Sequence, residues 1–264
     1  MKQLLVDETW ETGKLFSLTG KAYRYLCKVR RIVKNDELPL LTKDGVQGVG
    51  VVEEIRSDSL SVLVRMVKKE DFANSKELLP LPIIFCPSLL KGSKTDEAIR
   101  NAVQCGASQV NVIQAKHSVS EVSTKDKEAR LKRYERVITE ATQQSGNPYN
   151  VSVFLHGDLD QFLKSNKERL DKSLVLVFHE QNQNRVLLHE AIYNIEDKEA
   201  IFVFVGPEGG FSPQEIKLFE SYNCKLIWLG PMVLRAENAA TAAMSTTSLL
   251  LLERGKWHLK NENE

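Results

Sequence analysis

The stretch GPEGGFSPQEI, residues 206–216, decides the fold, and it follows the apolar run IFVFV at 201–205. A short run of β-branched and aromatic residues that is closed by glycine and proline is typical of a buried strand. Ser212 stands where a helix N-cap belongs, Pro213 is at the first helical position, and Glu215 completes a capping box. The stretch therefore predicts a loop from a strand's carboxyl end to a helix's amino end. Open α/β sheets bind ligands at this edge.

The glycine loop has three possible roles on its residues alone. It is a strand-to-helix corner if the glycines serve only to reach a positive φ angle. A phosphate site is the weakest role, because GxxxxGK[ST] is absent, no lysine follows the glycines directly, and Glu208 would repel an anion. The third role is the floor of a site for another ligand.

The chain beyond residue 80 alternates strand and helix patterns. Predicted strands cover 82–86, 110–113, 151–155, 174–178, 201–205 and 226–229. Predicted helices cover 95–105, 126–144, 159–169, 213–222 and 237–254. This alternation predicts an α/β domain with a mostly parallel sheet that is covered on both faces.

The first 70 residues have a different pattern. Short alternating segments such as GVGVVEEI and LSVLVRMV, with turns such as LTKDG between them, predict a small all-β module. The polar stretch KKEDFANSKE and the prolines of LPLPIIF indicate a boundary near residues 68–80. We therefore expect two domains, 1–72 and 73–264, with a polar tail at KNENE.

Composition limits the classes of protein that remain. The net charge of the 264 residues is only +1, which argues against a protein that coats nucleic acid over its whole surface. No apolar run approaches the roughly 20 residues of a membrane span. The start MKQLLVDETW also lacks the order of a signal peptide, so we expect a cytoplasmic protein that does not engage membranes.

The four cysteines show no CxxC pairing. Reduced and mostly buried thiols are therefore expected in place of a zinc site or a disulfide framework, and no metal is predicted. A nucleophilic cysteine is not favoured either, because no histidine or acid partner can be assigned to any of the four.

A basic run, KAYRYLCKVRRIVK at 21–34, has six basic residues, two tyrosines and no acid. Such a run can be a solvated face. It can also be an RNA-binding patch, whose cations neutralise phosphates while its tyrosines stack on unpaired bases. The candidate RNA-binding residues are Lys21, Arg24, Lys28, Arg30 and Arg31.

A second glycine turn follows the last predicted strand, KLIWL, and leads into an alanine-rich helix. Those alanines allow a close approach to the chain's own loop or to a second subunit, although alanine is also simply a good helix former. Arg235 is less easily explained, because the helix macrodipole opposes a cation at the amino end and favours Glu237 there. We therefore expect Arg235 to have a partner that justifies its position.

Two motifs give the chain a family resemblance. GPEGGFSPQEI and LGPMVLRAENAATAAM, in that order, resemble the two C-terminal signatures of the RsmE family of SPOUT methyltransferases, GPEGGF and LGxRILRxETA. TQQSGN resembles that family's EQSGR segment, and LTGKAYRYLCKVRRIVKNDE resembles its N-terminal segment with HxxxVLR and GD. The resemblance covers nearly the whole chain.

The resemblance implies a fold and an activity. It implies an N-terminal PUA-like β-barrel and a C-terminal SPOUT α/β domain with a trefoil knot, in a homodimer. It further implies methylation of N3 of a uridine in small-subunit (16S) ribosomal RNA, either free or in the assembled subunit, with S-adenosylmethionine as donor. The glycine loop is then part of the cofactor floor.

The resemblance also assigns site residues. Arg235 is the expected catalytic residue, because a guanidinium can stabilise the anion that forms when uracil N3 loses its proton. Glu237 is expected to orient that arginine or the helix start, and Glu208 to brace its loop. The expected cofactor-binding residues are Phe178, His179, Val205, Gly206, Pro207, Glu208, Gly209, Leu229, Gly230, Met232, Leu234 and Asn238.

Four residues depart from the family pattern. Met232 and Asn147 replace arginines, Asn238 replaces threonine, and Tyr25 replaces histidine. Met232 and Asn238 favour an alternative, a non-catalytic RNA-binding relative whose site has drifted. A nicotinamide-dependent oxidoreductase is not favoured, because no GxGxxG follows an early strand.

Overall fold

A computed structural model describes residues 3–6, 11–42, 46–68, 79–118, 124–180 and 186–254. The chain divides into two compact units, residues 1–78 with 142–150 and residues 79–141 with 151–264. The predicted domain boundary between residues 72 and 73 lies outside the described residues, as does the predicted tail at 260–264.

The first unit is built on a five-stranded sheet. Its strands are β1 (Leu4–Val6), β2 (Leu15–Thr19), β3 (Glu37–Thr42), β4 (Gln47–Ile55) and β5 (Ser59–Lys68). They lie in the order β1-β3-β4-β5-β2, and all neighbours are antiparallel except β1 and β3. Leucine and valine side chains, including Leu38, Leu40, Val62 and Val64, form its buried core. The unit is the small all-β module that the sequence predicts.

The basic run departs from the all-β expectation. It forms helix α1 (Gly20–Arg24) and a π-helix (Tyr25–Val29), with only Leu26 buried in these two turns. The chain then leaves the helix through Arg31, whose φ of 55° is in the left-handed region. Alternating apolar residues predicted the neighbouring strands. One buried leucine among cations lacks the apolar periodicity that predicts a helix.

Residues 142–150, which contain TQQSGN, belong to the first unit although they are distant from it in sequence. The buried Gln3 side chain donates from Nε2 to the Asn147 carbonyl oxygen at 2.6 Å. Asn147 itself is buried, and its Oδ1 accepts from the amide of Tyr149 at 2.9 Å. Asn147 therefore stabilises a turn of this chain, a role for which an arginine side chain has the wrong shape and donors.

The second unit is a six-stranded sheet covered by helices. Its strands are β6 (Ile83–Pro87), β7 (Ala107–Ile113), β8 (Ser152–His156), β9 (Leu174–His179), β10 (Ile201–Val205) and β11 (Lys225–Trp228). Its helices are α2 (Lys94–Gln104), α3 (Thr124–Ser145), α4 (Leu159–Ser165), α5 (Lys167–Asp171), α6 (Leu188–Tyr193), α7 (Pro213–Ser221) and α8 (Ala236–Glu253). The end of α3, from residue 142, belongs to the first unit. The strand order is β11-β9-β10-β6-β7-β8, and every pair is parallel.

The six predicted strands are all confirmed to within a few residues. The helix predicted at 159–169 is instead two short helices that meet at Asn166, and the short helix α6 was not predicted. The trefoil knot stays a prediction, with which this strand order is consistent.

Aromatic rings fix the glycine loop to the sheet. The ring of Phe219 on α7 lies 5.1 Å from that of Phe204 and 5.0 Å from that of Phe211, both edge to face. All three rings are buried. Because Phe211 belongs to the loop and Phe204 to β10, this cluster holds the loop against the strand that it follows.

Among the described residues, no helix has the length and apolar character that crossing a membrane requires.

Candidate active site

A cavity of about 500 Å³ opens at the carboxyl edge of the second unit's sheet. It lies beyond the ends of β9, β10 and β11, which are neighbours in the sheet. Its walls come from the residues after these three strands and from the starts of α2 and α8. The volume falls in the range of cavities that hold a cofactor-sized molecule.

The capping box fixes one wall of the cavity. The buried Glu215 carboxylate accepts from the amide of Ser212 at 2.7 Å through one oxygen and from the amide of Lys116 at 2.9 Å through the other. It therefore ties α7 both to its own N-cap and to the loop after β7. Gly210, with a φ of 66°, makes the turn that brings the chain into Ser212.

Gly209 is held from outside the cavity by His117. The Nδ1 atom of His117 lies 3.2 Å from the carbonyl oxygens of both Gly209 and Gly210. Carbonyl oxygens only accept, so Nδ1 carries the hydrogen and donates to this pair. A Cβ atom on Gly209 would stand 3.1 Å from the Cβ atom of His117. A side chain at 209 would therefore force His117 to shift by a few tenths of an ångström.

Gly206 and Gly230 line the cavity, and each position disfavours a side chain for a different reason. Gly230 has a φ of 120°, which side chains rarely adopt. A Cβ atom on Gly206 would lie 3.3 Å from the ring and the amide nitrogen of Phe211, so a side chain there would displace the loop. Both positions let the backbone itself form the cavity surface.

Glu208 braces the loop, as expected. Its Oε1 atom accepts from the amide of Lys91 at 3.2 Å and from the ammonium of Lys94 at 3.3 Å. Partial burial alone would raise the pKa of Glu208. The hydrogen bonds from its own amide, from Lys91 and from Lys94 outweigh that effect, so its pKa lies below the ordinary value. The carboxylate is therefore ionised at neutral pH.

Arg235 is the N-cap residue of α8 and lies at the cavity wall. Its backbone is extended, and its side chain is exposed. Within the part of the chain that the structure describes, its guanidinium forms no ion pair or hydrogen bond. The expected partner of Arg235 is therefore not found among these residues and stays a prediction.

Glu237 faces away from the cavity. Its carboxylate is buried, and Oε2 lies 3.7 Å from the Lys94 ammonium without a hydrogen bond from any described residue. Glu237 is two residues after Arg235 on α8, and its side chain therefore lies against the start of α2.

The structure brings ten of the twelve expected cofactor-binding residues to one cavity. Gly209 packs on His117 instead, and the exposed Asn238 is not part of the lining. Met232 lines the cavity but is 76% exposed, so this departure from the family pattern lies at the rim.

The sequence did not identify several cavity residues. They are Lys94, Glu180, Gly210, Phe211, Trp228, Pro231, Val233, Ala236 and Ala239. Most of them adjoin a predicted residue at the same strand end or loop. Lys94 is different, because it comes from a helix 114 residues before Glu208 and carries no motif of its own.

The five expected RNA-binding residues lie in the first unit and are all exposed. They follow one another along α1, the π-helix and the turn after it. Tyr23 and Tyr25 are half-buried against the unit's core, and the Tyr23 hydroxyl donates to the carbonyl oxygen of Arg56 or Ser57, each 2.8 Å away. The tyrosines therefore support the basic surface more than they extend from it.

The four cysteines form no disulfide with one another, and two of them are buried instead of most of them. Cys86 and Cys224 are buried, and burial raises the pKa of Cys224 to about 12. A neutral thiol is a poor nucleophile, so these two residues serve the core. Among the described residues, no cluster of three or more histidine, cysteine or acidic side chains could hold a metal ion.

Two family models match the chain. An RNA methyltransferase domain matches residues 77–248, and an RNA methyltransferase PUA domain matches residues 18–65. The first match alone covers more than half of the chain and contains every residue of the cavity.

Similar proteins match more than nine-tenths of the chain. "Ribosomal RNA small subunit methyltransferase E 2" of Borreliella burgdorferi is 27% identical, over 95% of this chain and 98% of its own. "Ribosomal RNA small subunit methyltransferase E" of Bacillus subtilis is 26% identical, over 92% of this chain and 93% of its own.

Solved structures share the fold. The ribosomal RNA small subunit methyltransferase E of Neisseria gonorrhoeae, bound to S-adenosyl methionine, aligns with a TM-score of 0.72 at 21% identity, over 95% of this chain and 98% of its own. A putative methyltransferase of Legionella pneumophila, also bound to this cofactor, aligns with a TM-score of 0.76 at 20% identity, over 94% of this chain and 97% of its own.

Proposed function

Because this chain belongs to the RsmE family of RNA methyltransferases, we propose that it methylates N3 of a uridine in small-subunit ribosomal RNA with S-adenosylmethionine as donor. The single observation that carries the proposal is the cavity at three strand ends, with an arginine at its wall that has no partner among the described residues. The relatives named above act on the same class of RNA by name, which supports the substrate.

The residues of the cavity suit this cofactor. Gly206, Gly210 and Gly230 present backbone groups where a side chain would strain or fill the site, which leaves amides and carbonyls to bind a nucleoside. Phe178 and Trp228 add apolar surface for an adenine ring. Glu180 and Glu208 place negative charge near a ligand that carries a sulfonium and an ammonium group.

The bound cofactor would supply an electrophilic methyl group, and the protein's own residues would prepare the nucleophile. Uracil N3 becomes nucleophilic when its proton leaves, and the negative charge then spreads to the ring oxygens. A fixed guanidinium stabilises such an anion most when it has no competing carboxylate. Arg235 meets that condition among the described residues.

Mass spectrometry of ribosomal RNA from cells with and without the gene tests the substrate. We expect a methyluridine in the small-subunit RNA of the parent cells only. Purified protein with tritiated cofactor should restore the mark on small subunits from the deletion strain, and a parallel reaction with extracted RNA separates free RNA from the assembled particle as substrate. Equal modification in both strains would contradict the proposal.

The drifted, non-catalytic relative is not favoured. Its support came from Met232 and Asn238, and these residues lie at the exposed rim or outside the lining. Calorimetry with S-adenosylmethionine separates the two functions, because a drifted site would give no binding heat. The cytoplasmic location also stays a prediction.

The basic run is the surface proposed to hold RNA. Exchanging Arg30 for glutamine and Arg31 for asparagine should weaken RNA binding and reduce the salt slope by about one unit for each phosphate that is no longer neutralised. Asparagine is chosen at 31 because it tolerates the positive φ angle, which keeps the fold intact.

Binding isotherms over a salt series measure this effect, with cofactor affinity as the control. Changing Arg56 to glutamine gives a matched comparison, since Arg56 is an exposed cation of the same unit that is already paired with Glu54. Equal RNA affinity in the double variant and the parent would show that the basic run is a solvated face that does not bind RNA.

A homodimer is the proposed assembly. Val233 is 82% exposed although it is apolar, and Leu249 and Leu252 on α8 are about half exposed. We expect sedimentation to give two copies per particle. Changing Leu249 and Leu252 to lysine should shift the protein toward the monomer, because burying unpaired cations opposes association. A parent that sediments as a monomer while fully active would exclude this assembly.

A further inference from the structure

Lys94 occupies a position that a lysine does not favour. It is the first residue of α2, where the helix macrodipole opposes a cation, and its side chain is about two-thirds buried with an exposed fraction of 35%. Burial of an ammonium group is costly unless carboxylates compensate it. The local sequence of α2 supplies no reason for a cation here.

Two carboxylates from distant parts of the unit provide that compensation. The Lys94 Nζ atom lies 3.3 Å from Oε1 of Glu208 in the glycine loop and 3.7 Å from Oε2 of Glu237 on α8. Glu237 is buried, and this oxygen accepts no hydrogen bond from the described residues. For these two side chains Lys94 is therefore the shared counter-charge.

The two carboxylates belong to different elements, and only Glu208 lines the cavity. Glu208 lies in the loop after β10, and Glu237 lies two residues beyond Arg235 at the start of α8. One ammonium group thus connects the loop that forms the cavity wall with the helix turn that carries Arg235.

The pair Lys94–Glu237 is also the end of a series of polar contacts between α2 and α8. Asn101 donates from Nδ2 to Oγ1 of Thr241 at 2.9 Å, and Cys105 Sγ lies 3.3 Å from Ser245 Oγ. Glu237, Thr241 and Ser245 are four residues apart, so they lie on one face of α8. The other contacts hold the helices together, and only the first is next to the cavity.

We propose that Lys94 is a positioning residue, which fixes the first turn of α8, and with it the backbone of Arg235, by binding Glu208 and Glu237 together. This inference rests on the proposed methyl transfer and adds to it a residue that does not touch the reacting atoms. Loss of the bridge would leave Glu237 buried without a counter-charge, and the first turn of α8 would move toward solvent. Arg235 would then lose its fixed position, while the cavity would still hold the cofactor.

The test is the exchange of Lys94 for methionine, which keeps the length of the side chain and removes its charge. Misplacing a catalytic group by about 1 Å can lower a rate a hundredfold, so we expect kcat to fall by about ten- to a hundredfold. The dissociation constant of S-adenosylmethionine should stay within about threefold of the parent, and arginine at 94 should restore part of kcat because it restores the charge.

Asn101→Ala is the matched control, because it removes the next contact of the same series. We expect it to lower thermal stability without lowering kcat. A double variant of Lys94→Met with Glu237→Gln should be no worse than about twofold below the poorer single variant, because both act through one interaction. Equal kcat losses at 94 and 101, additive losses at 94 and 237, or abolished cofactor binding in Lys94→Met would each overturn the proposal.

A readout without catalysis separates this proposal from the proposed function. The amide of Ala239 donates to the carbonyl oxygen of Arg235 at 2.8 Å and reports on the first turn of α8. Its hydrogen exchange should accelerate in Lys94→Met and stay at the parent rate in Asn101→Ala. A parent protein that transfers no methyl group would refute the function, whereas unchanged exchange in a folded Lys94→Met would refute the positioning role. Should Lys94→Met not fold, Lys94→Gln serves the same comparison.

Discussion

Arg235→Ala should lower methyl transfer by about a hundredfold or more, the loss expected when one donor that stabilises an anion is removed. The fold and the assembly should persist, because the side chain is exposed and forms no hydrogen bond or ion pair with the described residues that its removal would break. Cofactor affinity should also persist, since the cavity is formed largely by backbone and by other side chains. The defect should therefore lie in kcat.

Three measurements check this variant together. Sedimentation reports assembly, calorimetry reports cofactor affinity, and tritium transfer to purified small subunits reports the rate. Arg235→Lys is the matched control, because it keeps the charge and loses the planar fork, and we expect a rate between those of the parent and the alanine variant. Full activity of Arg235→Ala would show that this residue does not contribute to methyl transfer.

Gly209→Val should weaken S-adenosylmethionine binding by about ten- to a hundredfold, because an overpacked contact costs about 1–3 kcal/mol. The new side chain would press on His117, whose Cβ atom leaves only 3.1 Å for the first added carbon. His117 and its bond to the two glycine carbonyls would be displaced, and the loop would shift into the cavity. Gly209→Ala should give a smaller loss in the same direction.

Calorimetric titration with the cofactor measures this series. Gly157→Val is the control, because the backbone of Gly157 is outside the left-handed region and nothing lies within 4 Å of an added Cβ atom. It should bind the cofactor as the parent does. If Gly209→Val also bound it with unchanged affinity, the glycine loop would have no part in the cofactor floor.

Local signals account for what the sequence predicted well. The capping box at Ser212 and Glu215 combines a cap, a proline and an acid within four residues, and the structure contains it in full. The strands of the parallel sheet were readable for the same reason, because each is a short apolar run between turn residues. The resemblance then supplied the chemistry that such patterns do not specify.

Contacts between distant segments account for what the sequence did not predict. His117 meets Gly209 across 92 residues, and Lys94 meets Glu208 across 114. Neither residue belongs to a motif, and each has its role only because parallel strands bring separate loops to one edge. A basic residue at a helix start indicates that a partner exists, but the sequence does not show which distant residue that partner is.

The membership of residues 142–150 in the first unit has a consequence for dissecting the protein. A truncation near residue 78 would not release that unit whole, because the stretch that accepts from the buried Gln3 amide would remain with the other fragment. Such a fragment would expose a buried polar group and the surface around it, which favours aggregation over an isolated fold. An excised version of this unit needs residues 142–150 joined back to it by a linker, as in a circular permutation.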